Sequence, residues 1–186
     1  MNITIKAIVL GPRAVGKTTL ISHLHNRFST DRYIPTVGID TTTYSRSGLA
    51  LQIWDTSSST KYSHIVRCFV RDASLAIIVY NSQATFEKAK EHIAMYRTLC
   101  ERDQRIALVS LATDPILSPM ARFYAQIERL EYFECNALDR AQSLSMWHHL
   151  IDYCVHEVRV NKWKAHPGAS TNIVAVSPRR FCWWWW

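Results

Sequence analysis

Gly11-Pro12-Arg13-Ala14-Val15-Gly16-Lys17-Thr18 is the stretch whose residue types and spacing are most directly chemical. Two glycines five positions apart allow the backbone to curl, so that successive N–H groups point inward at phosphate oxygens. Lys17 can neutralise charge on the outer phosphates, the Thr18 hydroxyl can ligate Mg²⁺, and a following helix N-terminus adds positive potential. The expected phosphate-contacting set in this segment is Gly11, Arg13, Ala14, Val15, Gly16, Lys17, Thr18 and Thr19. Such a segment works only between a strand and a helix, so the flanking elements must supply that setting.

They do. Ile3–Leu10 reads as a strand rich in β-branched residues. Residues 17–28 place Leu20, Ile21, Leu24 and Phe28 on one helical face. Leu49, Leu51 and Ile53 alternate with Ala50, Gln52 and Trp54, a half-buried strand ending at Asp55, with Tyr44–Gly48 as the turn before it. Leu75–Tyr80 and Ile106–Leu111 are short continuous apolar runs, the pattern of central strands covered on both faces. Between them Phe86, Ala89, Ile93, Tyr96 and Cys100 form a helical stripe. A helix over about Pro119–Leu130, a strand over Glu131–Cys135 and a last helix with Leu144, Trp147, Ile151, Cys154 and Val158 complete the alternation. The implied class is α/β: a P-loop three-layer sandwich with a mainly parallel six-stranded sheet and helices on both faces. In such sheets ligands bind beyond the carboxyl ends of the strands, which is where the chemical residues fall.

Further along, Tyr33-Ile34-Pro35-Thr36-Val37-Gly38-Ile39-Asp40, Leu51–Thr56, Phe69–Tyr80 and Thr85-Phe86 resemble Ras-superfamily GTPases. The likeness covers about residues 3–158 and is closest to the Rab branch, particularly its Golgi-associated members. The resemblance implies that Thr36 lies in a first switch, where it reaches Mg²⁺ and the third phosphate. It implies that Asp55 opens a second switch and meets Mg²⁺ through water. Thr18, Thr36 and Asp55 are then the metal-facing set, with GTP or GDP and Mg²⁺ as cofactors.

The sequence also departs from the family. Where relatives carry Ala-Gly-Gln-Glu, this chain has Ser57-Ser58-Ser59-Thr60. Ser58 replaces the glycine whose N–H meets the third phosphate, and a Cβ restricts that pivot. Ser59 replaces the glutamine that positions the attacking water and is too short to reach it. Slow hydrolysis is expected. Arg13 either obstructs a residue supplied by a GAP protein or offers positive charge in cis. For the base, the family's Asn-Lys-x-Asp appears as Leu111-Ala112-Thr113-Asp114: Asp114 remains, whereas Leu111 and Ala112 lose their hydrogen-bonding and packing roles. Ala137 is retained in the following loop, with Asn136 in place of serine. The base-binding set is therefore Leu111, Ala112, Asp114, Asn136 and Ala137, with weakened selectivity for guanine. Asp114-Pro115 also reads as an ordinary turn.

The +7 net charge is concentrated at one end. From Arg159 onward lie Arg159, Lys162, Lys164, Arg179 and Arg180 and no acid, leaving seventeen bases against fifteen acids before them. This divides the chain into a domain over residues 1–160 and a flexible basic tail over 161–186, ending in Cys182 and four tryptophans. A near-neutral domain argues against nucleic acid as partner. The tail suits an anionic membrane surface, with indoles at the headgroup level, or is merely solvated. Cys182 misses the usual prenylation box by one residue. No apolar run approaches the ~18–20 residues of a membrane span, nothing resembles a secretory leader, and five scattered cysteines read as reduced thiols. The eight histidines show no metal-ligand spacing, and Trp147 reads as core.

The reading is a Rab-like nucleotide switch, cytoplasmic and peripheral on an internal membrane such as the Golgi. Its partners are effector, exchange-factor and GAP proteins. The alternative is a scaffold or decoy that does not cycle nucleotide. A P-loop kinase is disfavoured, because no arginine-rich lid or second substrate segment is evident.

Overall fold

The β-branched run at the start of the chain forms β1 (Ile3–Leu10) at the centre of the sheet, where both of its faces are covered. The computed structural model describes residues 3–25, 35–100, 105–111 and 114–160. Phe28, Ala112 and the tail lie outside the described residues. β1 pairs in parallel with β3 (Leu49–Thr56) and β4 (Leu75–Tyr80), and β4 pairs with β5 (Arg105–Ser110). β6 (Glu131–Glu134) closes one edge, also in parallel. β2 (Ile39–Arg46) forms the other edge and is antiparallel to β3, giving the order β2-β3-β1-β4-β5-β6.

The alternation of side chains along β1 divides the core in two. Ile5, Ala7 and Val9 face α1 (Lys17–Ser22) and α5 (Arg140–Arg159). Ile8 and Leu10 face α2 (Ser63–Asp72), α3 (Gln83–Leu99) and α4 (Leu117–Ile127). The three-layer sandwich expected from the strand–helix alternation is the architecture found. None of the described helices is long and apolar enough to cross a membrane.

Several boundaries differ from the sequence reading, each for a local reason. The turn before β3 is only Ser47-Gly48, both at positive φ (55° and 80°), as a two-residue hairpin of primed type requires. Tyr44, assigned to the turn, is instead a strand residue paired with Leu51 and packed against the core. The helix expected over residues 17–28 stops at Ser22, whose hydroxyl bonds back to the Thr19 carbonyl at 2.7 Å, and tightens into a 3₁₀ turn over His23–His25. α4 begins two residues early and ends three early. The Asp114 carboxylate receives the N–H groups of Ile116 and Leu117 at its start, and Arg129 turns left-handed (φ 55°) just beyond its end. α5 begins at Arg140, where Asp139 caps the N–H groups of Ala141 and Gln142.

α1 is fixed from the side by α5. Trp147 is fully buried, and its indole N–H donates to the Leu20 carbonyl at 2.8 Å. That carbonyl lies in the last turn of a six-residue helix, where intrahelical donors run out. Replacing Trp147 with Phe keeps most of the packing but strands the carbonyl, and should cost about 1–3 kcal/mol in urea unfolding. Trp147→Ala should cost about 3–5 kcal/mol. Equal stability of the wild-type protein and Trp147→Phe would remove the indole bond from this account.

Candidate functional site

β1 ends at Leu10, and the chain must then double back over the strand ends to start α1 at Lys17. Three positive φ values make that curl: Gly11 (152°), Ala14 (60°) and Gly16 (104°). Gly11 is obligatory, because a Cβ there would lie 2.4 Å from the Val79 carbonyl oxygen of the neighbouring strand. At Gly16 a Cβ would press on Leu111 Cδ1 at 3.0 Å. The expected phosphate loop therefore has the backbone that its residue types imply, and Arg13 to Thr19 line a cavity of about 1180 Å³.

Lys17 is folded under this loop and is only 7% exposed. Its ammonium donates to the carbonyls of Gly11 and Pro12, both at 2.9 Å, and to Ser58 Oγ at 2.6 Å. An ammonium has three hydrogens, and these three acceptors use them all. Burial pulls its pKa down to about 8, with the Asp55 charge opposing the shift.

Asp55, near the end of β3, is the other buried charge at this site. Its Oδ2 accepts from Thr18 Oγ1 at 2.6 Å and from Thr36 Oγ1 at 3.3 Å, and the two hydroxyls lie 3.0 Å apart. Topology brings this trio together. β2 runs antiparallel to β3 and pairs Ile39 with Thr56, so the residues just before β2 arrive at the carboxyl end of the sheet beside Asp55. Burial raises the Asp55 pKa, opposed by the Thr18 bond, the Lys17 charge and the Thr36 bond. Its Oδ1 is buried without a hydrogen-bond partner. One carboxylate with an unspent oxygen beside two hydroxyls suits Mg²⁺, which is commonly held by one or two carboxylates together with waters and substrate phosphates.

The serine segment closes the cavity. Ser57 is buried and donates its N–H to the Gly38 carbonyl at 2.9 Å, tying this loop to the Thr36 loop. Ser58 Oγ donates to the Gly11 carbonyl at 3.0 Å while accepting from Lys17. Ser59 is exposed, and its N–H donates to Ser57 Oγ at 3.3 Å. Lys61, Tyr62 and Leu138 also line the cavity. They were not among the residues named from sequence, and neither was Pro12 as an acceptor for Lys17. Leu138, adjacent to Ala137, was recoverable by its place in that loop.

Four of the five residues expected at the base lie within the described residues. Leu111 and Ala137 lie against Gly16, under the phosphate loop. Asp114 and Asn136 line a second cavity of about 250 Å³ with Glu134 and Gln142, and it shares no lining residue with the first. Asp114 Oδ1 accepts from the N–H groups of Ile116 and Leu117 at 2.8 and 3.2 Å, which fits the ordinary turn that the sequence also allows at Asp114-Pro115. Asn136 Oδ1 receives the Leu138 N–H at 2.9 Å. Glu134 accepts from the hydroxyls of Ser118 and Tyr132 and from Arg122, a local polar cluster on the β6 edge.

A sequence profile of the Ras family matches residues 6–155. The chain is 25% identical over 169 residues to Ras-related protein Rab-11B of Dictyostelium discoideum, covering 84% of this chain and 76% of that protein. It is 25% identical over 180 residues to Ras-related protein Rab-7B of the same organism (85% and 86% covered). With Ras-related protein Rab-11A it shares 29% over 146 residues (72% and 68% covered).

The depressed Lys17 pKa makes a directional prediction. Lysine is charged when protonated, so its charge is present below about 8 and lost as pH rises through that value. Affinity of the free protein for pyrophosphate should hold to about pH 8 and then fall by up to about tenfold per unit. Lys17→Arg, which stays protonated, should show no such fall at whatever affinity it retains. A wild-type profile flat to pH 9.5, measured by calorimetry, would remove Lys17 from phosphate binding.

Proposed function

The chain belongs to the Ras family, and on that premise we propose that it is a Rab-like guanine-nucleotide switch of intracellular membrane traffic. The observation that carries the reading is the convergence of Lys17, Thr18, Thr36 and Asp55 around one cavity at the carboxyl end of the sheet. The family implies guanine-nucleotide binding, usually with Mg²⁺. In the proposed complex the N–H groups of the 11–18 loop hold the inner phosphates and Lys17 supplies the charge that meets them. Thr18, Thr36 and Asp55 would hold Mg²⁺, which when bound neutralises phosphate charge. Thr36 and Ser58, on the two loops flanking Lys17, would face the third phosphate. That contact is what makes these loops differ between nucleotide states and so present different surfaces to effectors, exchange factors and GAP proteins.

Hydrolysis is proposed to be slow. Ser59 has too short a side chain to orient a water, and Ser58 adds a Cβ where the family keeps a pivot. A second reading, a scaffold or decoy for Rab partners that does not cycle nucleotide, is favoured by a specific observation. Asp114, the one retained polar base contact, spends an oxygen on capping α4. Released-nucleotide chromatography of the purified full chain, with calorimetry for GDP, GTP and ATP, separates the two. The switch reading expects guanine nucleotide, bound more tightly than ATP and lost in Lys17→Ala. It also expects faster single-turnover GTP hydrolysis in Ser58→Gly/Ser59→Gln. No guanine-nucleotide binding at millimolar concentration would leave the scaffold.

The tail is proposed to hold the protein on the cytosolic face of an internal membrane. Its four bases and the adjoining Arg159 each contribute about 1 kcal/mol near an anionic surface, enough for reversible attachment if most engage. The Golgi assignment rests on the likeness of Phe69–Tyr80 and Thr85-Phe86 alone, whereas the relatives above carry Rab-11 and Rab-7 names. Liposome flotation of the full chain should require anionic lipid and weaken when residues 178–186 are removed. Equal flotation of the intact and truncated proteins would make the tail inert.

A further inference from the structure

α2 turns Val66 and Val70 into the core, with Phe69 half-buried beside them. The opposite face carries Lys61, in the 3₁₀ turn that leads into the helix, then His64, Arg67 and Arg71, all exposed. Spacings of three, three and four residues put these four on one stripe, about 15 Å long at the helical rise. None of the five ion pairs among the described residues involves it. Lys61 lies over the Tyr62 ring at 5.9 Å, a contact that leaves its charge without a counter-charge. Asp72, at the end of α2, is the one acid in the helix. The neighbouring helices differ: Lys90 pairs with Glu87, Arg97 with Glu128 and Arg122 with Glu134. Nor does the stripe favour the helix that bears it. Arg67 and Arg71, four residues apart, repel one another, and the first turn holds His64 and no acid to meet the helix dipole.

We infer that this face of α2 docks an acidic protein segment, whose carboxylates meet Lys61, Arg67 and Arg71 and which brings an apolar side chain to Ile65. Guanidinium forks pair with carboxylates in a fixed bidentate geometry, so two arginines one turn apart select position as well as charge. Ile65 is 40% exposed at the margin of the stripe, an apolar contact beside the arginines that interfaces favour. The chemistry suits a protein better than other polyanions. Three cations over one short helix, on a domain of nearly balanced charge, are few for a nucleic acid. A lipid surface is the match for the basic tail, and the tail follows α5, which packs on the other face of the sheet from α2. The inference names the partner chemistry of the switch proposed above and rests on that reading for its coupling to nucleotide. Ser58, on the loop before the stripe, bonds Lys17 and the Gly11 carbonyl, and Lys61 itself lines the phosphate cavity.

The test measures, by fluorescence anisotropy, binding of the full-length protein to a labelled glutamate-rich peptide containing leucine and to the same peptide without leucine. The leucine peptide should bind more tightly, and Ile65→Ser should remove its advantage. Arg67→Glu/Arg71→Glu should weaken binding by about tenfold or more. Arg140→Glu/Arg159→Glu, the same change of charge at exposed positions of α5, should weaken it far less. The α2 variant should be no less stable in urea, because it relieves repulsion. Equal weakening by the two variants overturns the inference, since the attraction is then one of net charge. So does a marked loss of stability in the α2 variant, which would make the cations structural. A leucine peptide that binds no better than the plain one overturns it too, as does preferential binding of duplex DNA or phosphatidylserine vesicles through the same arginines. Peptide binding that is identical with GDP, GTP or no nucleotide keeps this surface and removes the switch reading. Absence of peptide binding while guanine nucleotide still binds removes the surface alone.

Discussion

A lysine ammonium held under a loop of backbone carbonyls is the constraint on which the rest of this site depends. Burying a charge costs several kcal/mol unless it is fully hydrogen-bonded, so the loop over Lys17 must present acceptors in fixed positions. Two are its own carbonyls, aimed inward by the positive φ of Gly11, Ala14 and Gly16. Arg13 to Thr19 of the same turn line the cavity, so one backbone path both satisfies the cation and forms the cavity wall.

Holding that path requires the sheet beneath it. Val79 on β4 sets how close Gly11 comes, and Thr56 locks the end of β3 to β1 through a 2.6 Å bond to the Val9 carbonyl. With both strand ends fixed, Asp55 is delivered to Thr18 by β3, and Thr36 by the antiparallel edge strand β2. The two buried charges are therefore placed by different elements, and each moderates the other: Lys17 lowers the pKa of Asp55, and Asp55 raises that of Lys17. This coupling survives only while the sheet keeps both ends in register.

How much of this was legible in the sequence depended on how local its causes were. The phosphate loop is eight contiguous residues whose glycines state their own conformation. The central strands declared themselves because β4 and β5 are apolar on both faces. β2 was harder to bound: its Thr-rich, half-exposed pattern resembles a turn, and only its ladder with β3 shows that Tyr44 faces the core. The end of α1 turned on one serine hydroxyl bonding backward. The Ser58 contact had no sequence signal beyond the missing glycine, because it joins residues forty-one positions apart whose meeting is decided by the β3–α2 loop. Asp114 carried two meanings in the sequence, ligand contact and ordinary turn. The structure shows its carboxylate accepting the N–H groups of Ile116 and Leu117 at the start of α4.

The departures from the family share one physical character. At three positions where the residue type departs from the family pattern, the side chain contacts the rest of the protein. Ser58 bonds Lys17, Asn136 receives the Leu138 N–H, and Leu111 packs against Gly16. Each such contact steadies the protein without ligand and lowers the net gain on binding, since a hydrogen bond already made must be exchanged rather than formed. The exchange is steepest where the partner is charged and buried, at Lys17, and milder at the half-buried Asn136.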